Sequence, residues 1–198
     1  MANTRTVLKF RRHREGRTNY HKRLEMLKSR RVRLVARVSN RHIVVQFIEY
    51  VPQGDHVLFG CSSAKLVRLG WKGAGGNIPA AYLTGLLAAC LVRKNLSTKE
   101  PLILDAGQAR LGKGNKVYAV VKGIIDGGLA IAHSPDNFPD EKRLTGQHIQ
   151  KYAEQLKKNN PEKYKTLFSE YLTNACAPET IATHVAEIKK KILADAKN

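Results

Sequence analysis

Residues 32–51, VRLVARVSNRHIVVQFIEYV, carry the strongest indication of tertiary structure in the chain. Two apolar runs flank Asn40 and Arg41, and a two-residue turn at this pair joins them as a β-hairpin. The turn fixes the pairing, and the opposed residues on one face are then all apolar: Leu34 with Phe47, Ala36 with Val45, and Val38 with Ile43. Arg33 and Arg37 fall on the other face. We therefore expect one face to pack a core and the other to present two arginines.

Strand and helix patterns continue after the hairpin. Turn residues at 52–55 and runs of apolar residues predict four further elements: a third strand over 56–62, a helix capped by Asn77, a short buried strand over 102–104, and a helix capped by Asn115. The short strand ends at Asp105, which we expect to cap the turn into the next loop. Gly127 and Gly128 are expected to end the second helix.

Basic residues are concentrated near the N-terminus. The net charge of the 198 residues is +19, and residues 1–50 alone hold 14 basic and 3 acidic side chains. This density of like charge indicates a segment that neutralises a polyanion. Arginines outnumber lysines in 11–17, and Tyr20 and His21 follow with rings that can stack on bases, so RNA or DNA is the expected partner.

The basic N-terminal segment has two expected parts. Residues 1–17 lack an apolar period, so we expect an extended, solvated arm there. Thr18 or Asn19 is placed to cap a short helix that ends at Ser29. Three residues would share one face of that helix: Tyr20, Leu24 and Leu27.

The last third of the chain is more polar. Residues 134–143 contain two prolines and predict a linker. Three helices are expected after it, over 147–157, 162–172 and 179–194, with Pro161 and Pro178 where helices often begin. Their low density of apolar residues predicts that they pack on another surface rather than form an independent domain.

Residues 107–114, GQARLGKG, form the most enzyme-like motif. They match G-x-x-x-x-G-K, but Gly114 stands where a phosphate-binding loop needs a Ser or Thr hydroxyl for magnesium. The nearest strand-end acid, Asp105, precedes the loop instead of lying on a neighbouring strand. We therefore expect no nucleotide hydrolysis and interpret the loop as a cationic turn that offers Lys113 and Lys116 to an RNA backbone. A nucleotide-dependent, RNA-associated enzyme is the alternative from a different class.

Other site chemistry is not indicated by the sequence. Cys61, Cys90 and Cys176 are odd in number and form no C-x-x-C pair, so we expect reduced thiols and neither a disulfide framework nor a zinc site. The seven histidines form no H-E-x-x-H motif. We expect no metal, no cofactor and no catalytic residue. No segment indicates secretion or a membrane span.

Several sequence blocks resemble one known family. In chain order they are FRRHREGRTNY (10–20), RLVARVSN (33–40), GNIPAAYLTGLL (76–87), GNKVYA (114–119), KG (122–123), DGGL (126–129) and HS (133–134). The chain resembles the 5S-rRNA-binding protein of the large ribosomal subunit, the family numbered eighteen in archaea and five in eukaryotes. Its length is similar to that of the archaeal branch.

The resemblance implies an α/β fold, with a central mixed sheet covered by helices, an extended basic N-terminal arm and a C-terminal helical extension. The corresponding divisions are 1–31 for the arm with its short helix, 32–133 for the central domain, and 134–198 for the linker and helical extension.

The resemblance also implies a structural role in the cytoplasmic ribosome. Such a protein holds 5S rRNA and joins it to the large-subunit rRNA in the central protuberance, beside the other 5S-binding protein, without enzymatic turnover or a small-molecule substrate. The basic arm alone would equally suit a DNA-compacting protein. The candidate RNA-binding residues are Arg5, Lys9, Arg11, Arg12, Arg14, Arg17, Tyr20, His21, Lys22, Arg23, Arg30, Arg31, Arg33, Arg37, Lys113 and Lys116.

Overall fold

A mixed four-stranded sheet forms the centre of the protein. The computed structural model describes residues 8–93 and 100–195, and the elements below are those of the described residues. The strands are β1 (Arg33–Val38), β2 (Ile43–Val51), β3 (Gly54–Ser62) and β4 (Ile103–Asp105). Their order across the sheet is β3-β2-β1-β4, with β1 antiparallel to β2 and parallel to β4.

The β1–β2 hairpin has the predicted register. All of the expected opposed pairs are present, from Val38 with Ile43 to Arg33 with Ile48. The amide N of Ser39 donates to the His42 carbonyl oxygen at 2.9 Å, which leaves Asn40 and Arg41 as the turn. β3 begins at Gly54, two residues earlier than predicted, because Gly54 and Asp55 continue the ladder opposite Val51 and Tyr50.

Ten α-helices lie in the described residues, and two single 3₁₀ turns, at Pro135–Asn137 and Pro178–Thr180, accompany them. The helices are α1 (Arg11–Arg14), α2 (Tyr20–Lys28), α3 (Ala64–Arg68), α4 (Ile78–Arg93), α5 (Lys116–Asp126), α6 (Glu141–Leu144), α7 (Gln147–Asn159), α8 (Pro161–Leu167), α9 (Ser169–Thr173) and α10 (Ile181–Asp195). The predicted caps are confirmed. Asn19, Asn77 and Asn115 each accept a backbone N–H with the side-chain oxygen at the start of α2, α4 and α5.

α4 and α5 cover one face of the sheet. The two helices cross each other so closely that their backbones are in contact. The inner hairpin residues, such as Leu34 and Phe47, share a single core with them. A Cβ on Gly123 would overlap the Tyr82 carbonyl oxygen, and a Cβ on Gly85 would overlap that of Val120. Only glycine at both positions permits this separation between the helices.

Three sequence-based expectations about local structure are wrong. Residues 11–14 form a helical turn instead of extended chain, and Arg11 Nε contacts Glu15 Oε1 at 2.8 Å across it. Part of the expected linker is helical, as α6. The single helix expected over 162–172 is divided into α8 and α9 at Phe168, whose backbone dihedrals are not helical. The Phe168 ring packs between those of Tyr164 and Tyr171.

The C-terminal helices pack on the central core, as their composition predicted. α10 contacts α4 and buries four residues in the same apolar cluster: Ile181, Val185, Ile188 and Ile192. Pro161 occupies the first turn of α8, and Pro178 starts the 3₁₀ turn before α10. Across 8–93 and 100–195, none of the helices is long and apolar enough to span a bilayer.

Candidate nucleic-acid interface

A groove of about 920 Å³ lies between the N-terminal segment and the sheet face opposite α4 and α5. Its floor is formed by outward-facing residues of β1 and β2, including Val35, Gln46 and Ile48. Its wall is formed by residues 16–20 and by the half-buried side of α2, including Tyr20 and Met26. The groove therefore joins the basic segment to the face on which two arginines were predicted.

The lining of the groove is strongly cationic. It contains two acidic side chains, Asp55 and Asp105, and six cationic ones: Arg12, Arg17, Lys22, Arg23, Arg33 and Arg37. A concave surface with this excess of positive charge concentrates a polyanion at its mouth. The groove is thus suited chemically to a phosphate backbone.

A chain of ion pairs crosses the floor of the groove. Asp55 Oδ1 contacts Arg23 Nη2 at 2.8 Å and Arg33 Nη2 at 2.7 Å. Asp105 Oδ2 contacts Arg33 Nη1 at 3.1 Å, and its Oδ1 contacts Arg37 Nη2 at 3.3 Å. Burial raises the pKa of Asp55, but hydrogen bonds and charge from Arg23 and Arg33 outweigh it and hold that pKa below its ordinary value.

Arg33 and Arg37 have different surroundings, although they share a face. Arg33 was expected to be presented to solvent, but its side chain is only 1% exposed. It is buried because β1 is an interior strand and carboxylates from β3 and β4 converge on it. The side chain of Arg37 is 48% exposed, and its Nη1 donates to the Asp105 carbonyl oxygen at 2.8 Å.

Asp105 shapes the end of β4 as predicted. Its Oδ1 accepts the Gly107 N–H at 2.8 Å, which caps the turn into the following loop. Gly107 has φ +61°, and a Cβ there would lie 3.1 Å from Arg37 Cζ. Gly107 therefore allows the Arg37 guanidinium to lie against the loop backbone.

The arm approaches α2 through an aromatic cluster. The Phe10 and Tyr20 ring centroids are 5.4 Å apart, and those of His13 and Tyr20 are 6.1 Å apart. Arg12 Nε donates to Thr18 Oγ1 at 2.9 Å, so the Arg12 side chain is oriented where it enters the groove. These contacts place α1 beside the start of α2.

Only some of the predicted RNA-binding residues meet at the groove. Seven of them line it: Arg12, Arg17, Tyr20, Lys22, Arg23, Arg33 and Arg37. Lys9, Arg14, His21 and Arg30 are exposed elsewhere on the N-terminal segment, and Arg5 lies outside the described residues. Arg11 pairs with Glu15, and Arg31 Nε lies 3.4 Å from Glu100 Oε2. Leu24, predicted to share one face of α2 with Tyr20 and Leu27, is 56% exposed.

Lys113, near the far end of the 107–114 loop, and Lys116, the first residue of α5, do not line the groove. Three of the loop's amides are directed to protein acceptors: Gly107 N donates to Asp105 Oδ1 at 2.8 Å, Ala109 N to the Ala106 carbonyl oxygen at 3.2 Å, and Gly114 N to the Asn137 carbonyl oxygen at 3.0 Å. These three amides are therefore not directed toward an anion, as the amides of a phosphate-binding loop are.

The sequence reasoning missed the residues that organise the groove. Asp55 was interpreted as a turn residue, Gln46 was expected on the outer face of the hairpin but was not assigned a role in binding, and Met26 was not considered. A signal was available for Asp55, because an arginine on a strand with apolar neighbours needs a carboxylate partner if it is buried. Nothing in the sequence identified which carboxylate that would be.

Metal and thiol chemistry is not indicated by the structure. Within the described ranges, no cluster of three or more His, Cys, Asp or Glu side chains could hold a metal ion. Cys61, Cys90 and Cys176 are free and buried. Burial raises the pKa of the Cys61 thiol to about 11, which makes its thiolate scarce at neutral pH.

Comparison with known proteins identifies the family. Residues 4–102 match the model of a family described as ribosomal large subunit proteins 60S L5 and 50S L18. The chain is also 47% identical over 191 residues to the large ribosomal subunit protein uL18 of Caldivirga maquilingensis, an alignment that covers 96% of this chain and 91% of that protein. The chain belongs to this family.

Membership confirms the family resemblance found in the sequence. The protein is a structural constituent of the large ribosomal subunit and therefore a cytoplasmic ribosomal component. The identity covers the C-terminal helices as well as the central sheet, because it extends over nearly the whole chain. The groove is thus on the surface of a protein that lies in the ribosome together with rRNA.

Proposed function

We propose that this protein binds 5S rRNA through the groove and attaches it to the large-subunit rRNA in the central protuberance, beside the other 5S-binding protein. The observation that carries the proposal is the cationic groove itself, in which the basic segment and the outer sheet face contribute to one surface. The sequence blocks shared with the 5S-binding family support the choice of RNA, because the first two blocks contribute most of the groove's arginines.

The groove combines the two kinds of contact that RNA recognition uses. Arg12, Arg17 and Lys22 stand on the wall, where they can neutralise phosphates that pass along it. Arg37 offers a half-exposed guanidinium that is fixed by Asp105, and Tyr20 offers a ring. A fixed guanidinium and an aromatic ring suit unstacked bases or the sugar edge of a loop. Wall contacts would thus supply affinity, and floor contacts would supply selectivity.

Three regions of the chain would divide the work. The arm and α2, residues 1–31, would supply phosphate contacts, the central domain over 32–133 would supply the shaped surface, and the extension over 134–198 would stabilise that domain through α10. Lys113 and Lys116 would make a second, separate backbone contact, since they lie outside the groove. Arg33 would act within the protein as the buried centre of the ion-pair chain.

A salt series tests the proposal. Binding of the full-length protein to 5S rRNA and to a transfer RNA is measured between 50 and 200 mM salt, together with a variant carrying Arg12→Gln, Arg17→Gln and Lys22→Gln. If those three cations meet phosphates, the slope of log K against log salt should become shallower by about two to three, and the Kd for 5S rRNA should rise by roughly tenfold to a hundredfold.

A charge-matched control separates the groove from the general charge of the protein. Lys151, Lys158 and Lys165 are exposed on α7 and α8, and replacing all three by Gln removes the same charge. We expect this control to keep most of the affinity and most of the salt slope. An equal loss in both variants would contradict binding at the groove. A wild-type protein that bound the transfer RNA as tightly as 5S rRNA would contradict the proposed partner.

A further inference from the structure

α2 forms a wall of the groove, yet it is weakly attached to the rest of the protein. The helix has 9 residues, and none of them is buried. An isolated helix of this length is marginal in water, so α2 needs a contact with the body to remain folded. Among the described residues, the side-chain hydrogen bond that links α2 to the sheet is the one from Arg23 to Asp55.

Asp55 connects α2 to Arg33, the buried arginine of β1. Its Oδ1 atom accepts from Arg23 of α2 and also from Arg33 of β1. The Arg33 guanidinium is fully buried and is held on its other side by Asp105. Arg33 Nε has no hydrogen-bond partner in the described part of the chain, so the two carboxylates at its terminal nitrogens hold it.

We propose that Asp55 is a positioning residue for RNA binding, which clamps the cationic helix α2 over the sheet face before RNA arrives. The clamp consists of one carboxylate shared between a buried arginine and a half-exposed one. It rests on the proposed function, since it assigns the groove wall to RNA. Arg23 then acts mainly through Asp55, while its neighbour Lys22 stays available to a phosphate.

If the clamp exists, removing the Asp55 charge should weaken RNA binding, whereas the change in charge alone would strengthen it. Asp55→Asn makes the groove more positive, and electrostatics alone would tighten RNA binding. Without the clamp, however, α2 must be ordered during binding, and the apparent Kd rises by the inverse of the docked fraction. If that fraction falls to about one tenth, the Kd rises roughly tenfold.

The test measures hydrogen exchange of the α2 amides in the free protein and the Kd for 5S rRNA. Asp55→Asn is compared with Glu49→Gln, which removes the same charge from an exposed position on β2. Arg23→Gln is compared with Lys22→Gln on the same helix, and Arg23→Lys is the rescue variant because lysine can still reach the carboxylate. Arg23→Gln leaves the Asp55–Arg33 contact in place, so it decides the question if Asp55→Asn fails to fold.

We expect the α2 amides of Asp55→Asn and Arg23→Gln to exchange about tenfold faster than those of the wild type. The exchange rate of the α2 amides should be unchanged in both controls. Asp55→Asn should also bind 5S rRNA about tenfold more weakly with an unchanged salt slope, and Arg23→Lys should restore α2 protection. Unchanged α2 exchange in Arg23→Gln, or tighter RNA binding by Asp55→Asn, would overturn the proposal. Hydrogen exchange is measured without RNA, so it tests the clamp independently of the RNA partner. A wild type that did not prefer 5S rRNA would refute the proposed function, and the exchange rates would still decide whether Asp55 holds α2.

Discussion

Replacing Asp105 by Asn should destabilise the protein considerably, although it exchanges only one carboxylate oxygen for an NH₂ group. Asp105 Oδ2 accepts from Arg33 at 3.1 Å, and its Oδ1 accepts from Gly107 at 2.8 Å and from Arg37 at 3.3 Å. Both oxygens therefore face donors. The amide NH₂ of asparagine would oppose a donor in either orientation, and Arg33 would lose one of its two counterions.

The magnitude follows from the burial of this pair. Arg33 is 1% exposed and Asp105 is 6% exposed, and removing one partner of a buried ion pair typically costs about 3–5 kcal/mol. Asp55 still faces Arg33 in the variant, so we expect a loss at the lower end, about 3 kcal/mol. For a chain of this size, that corresponds to a decrease in Tm of about 6–12 °C.

The assay is chemical and thermal unfolding of the wild type, Asp105→Asn and the control Asp136→Asn. Asp136 is exposed, and no ion pair involves it in the described chain, so its substitution should change the free energy of unfolding by less than about 0.5 kcal/mol. A loss below about 1 kcal/mol in Asp105→Asn would show that the ion-pair chain does not stabilise the sheet as the geometry indicates.

Three other substitutions or treatments have expected outcomes. Gly123→Ala should cost about 3 kcal/mol in denaturant unfolding because its Cβ would overlap the Tyr82 carbonyl oxygen, whereas Gly112→Ala, which has open space beside it, should be nearly neutral; equal effects would exclude the close helix crossing. Cys61, with a pKa raised by burial to about 11, should react with a thiol reagent at pH 8 only when the protein unfolds, and fast labelling of the native state would contradict its burial. The pKa of Asp55 is lowered in the folded state, so its stabilisation should be complete above the ordinary value of 3.8 and lost as pH falls below it; the difference in unfolding free energy between the wild type and Asp55→Asn should therefore shrink below about pH 4, and a difference that grew there would refute the ion pairs.

The sequence predicted the hairpin and the helices capped by Asn19, Asn77 and Asn115 well because their determinants are local. Alternation of apolar residues around Asn40 and Arg41 permits one register with a wholly apolar face, and the structure has that register. Asn77 and Asn115 cap helices because the cap and the amide it accepts are within three residues of each other.

The groove could not be predicted in the same way because its partners are distant along the chain. Arg33 contacts carboxylates 22 and 72 residues away, and no local pattern pairs an arginine with one acid among many. The need for glycine where α4 and α5 cross likewise depends on residues that are distant along the chain. Gly123 lies inside the helix that was expected after Asn115, but nothing local indicates that a glycine is required there, because the requirement comes from the close approach of α4 in the tertiary fold.

Site-specific photocrosslinking shows which RNA lies against the groove. A photoreactive phenylalanine analogue replaces Tyr20 in the groove or, as a matched control, Tyr152, which is 46% exposed on α7. Each protein is irradiated with total ribosomal RNA, and the attached RNA is sequenced. If the groove binds 5S rRNA, this RNA should dominate the crosslinks at position 20 and not those at position 152. Crosslinks at position 20 that lacked 5S rRNA would refute binding of this RNA at the groove.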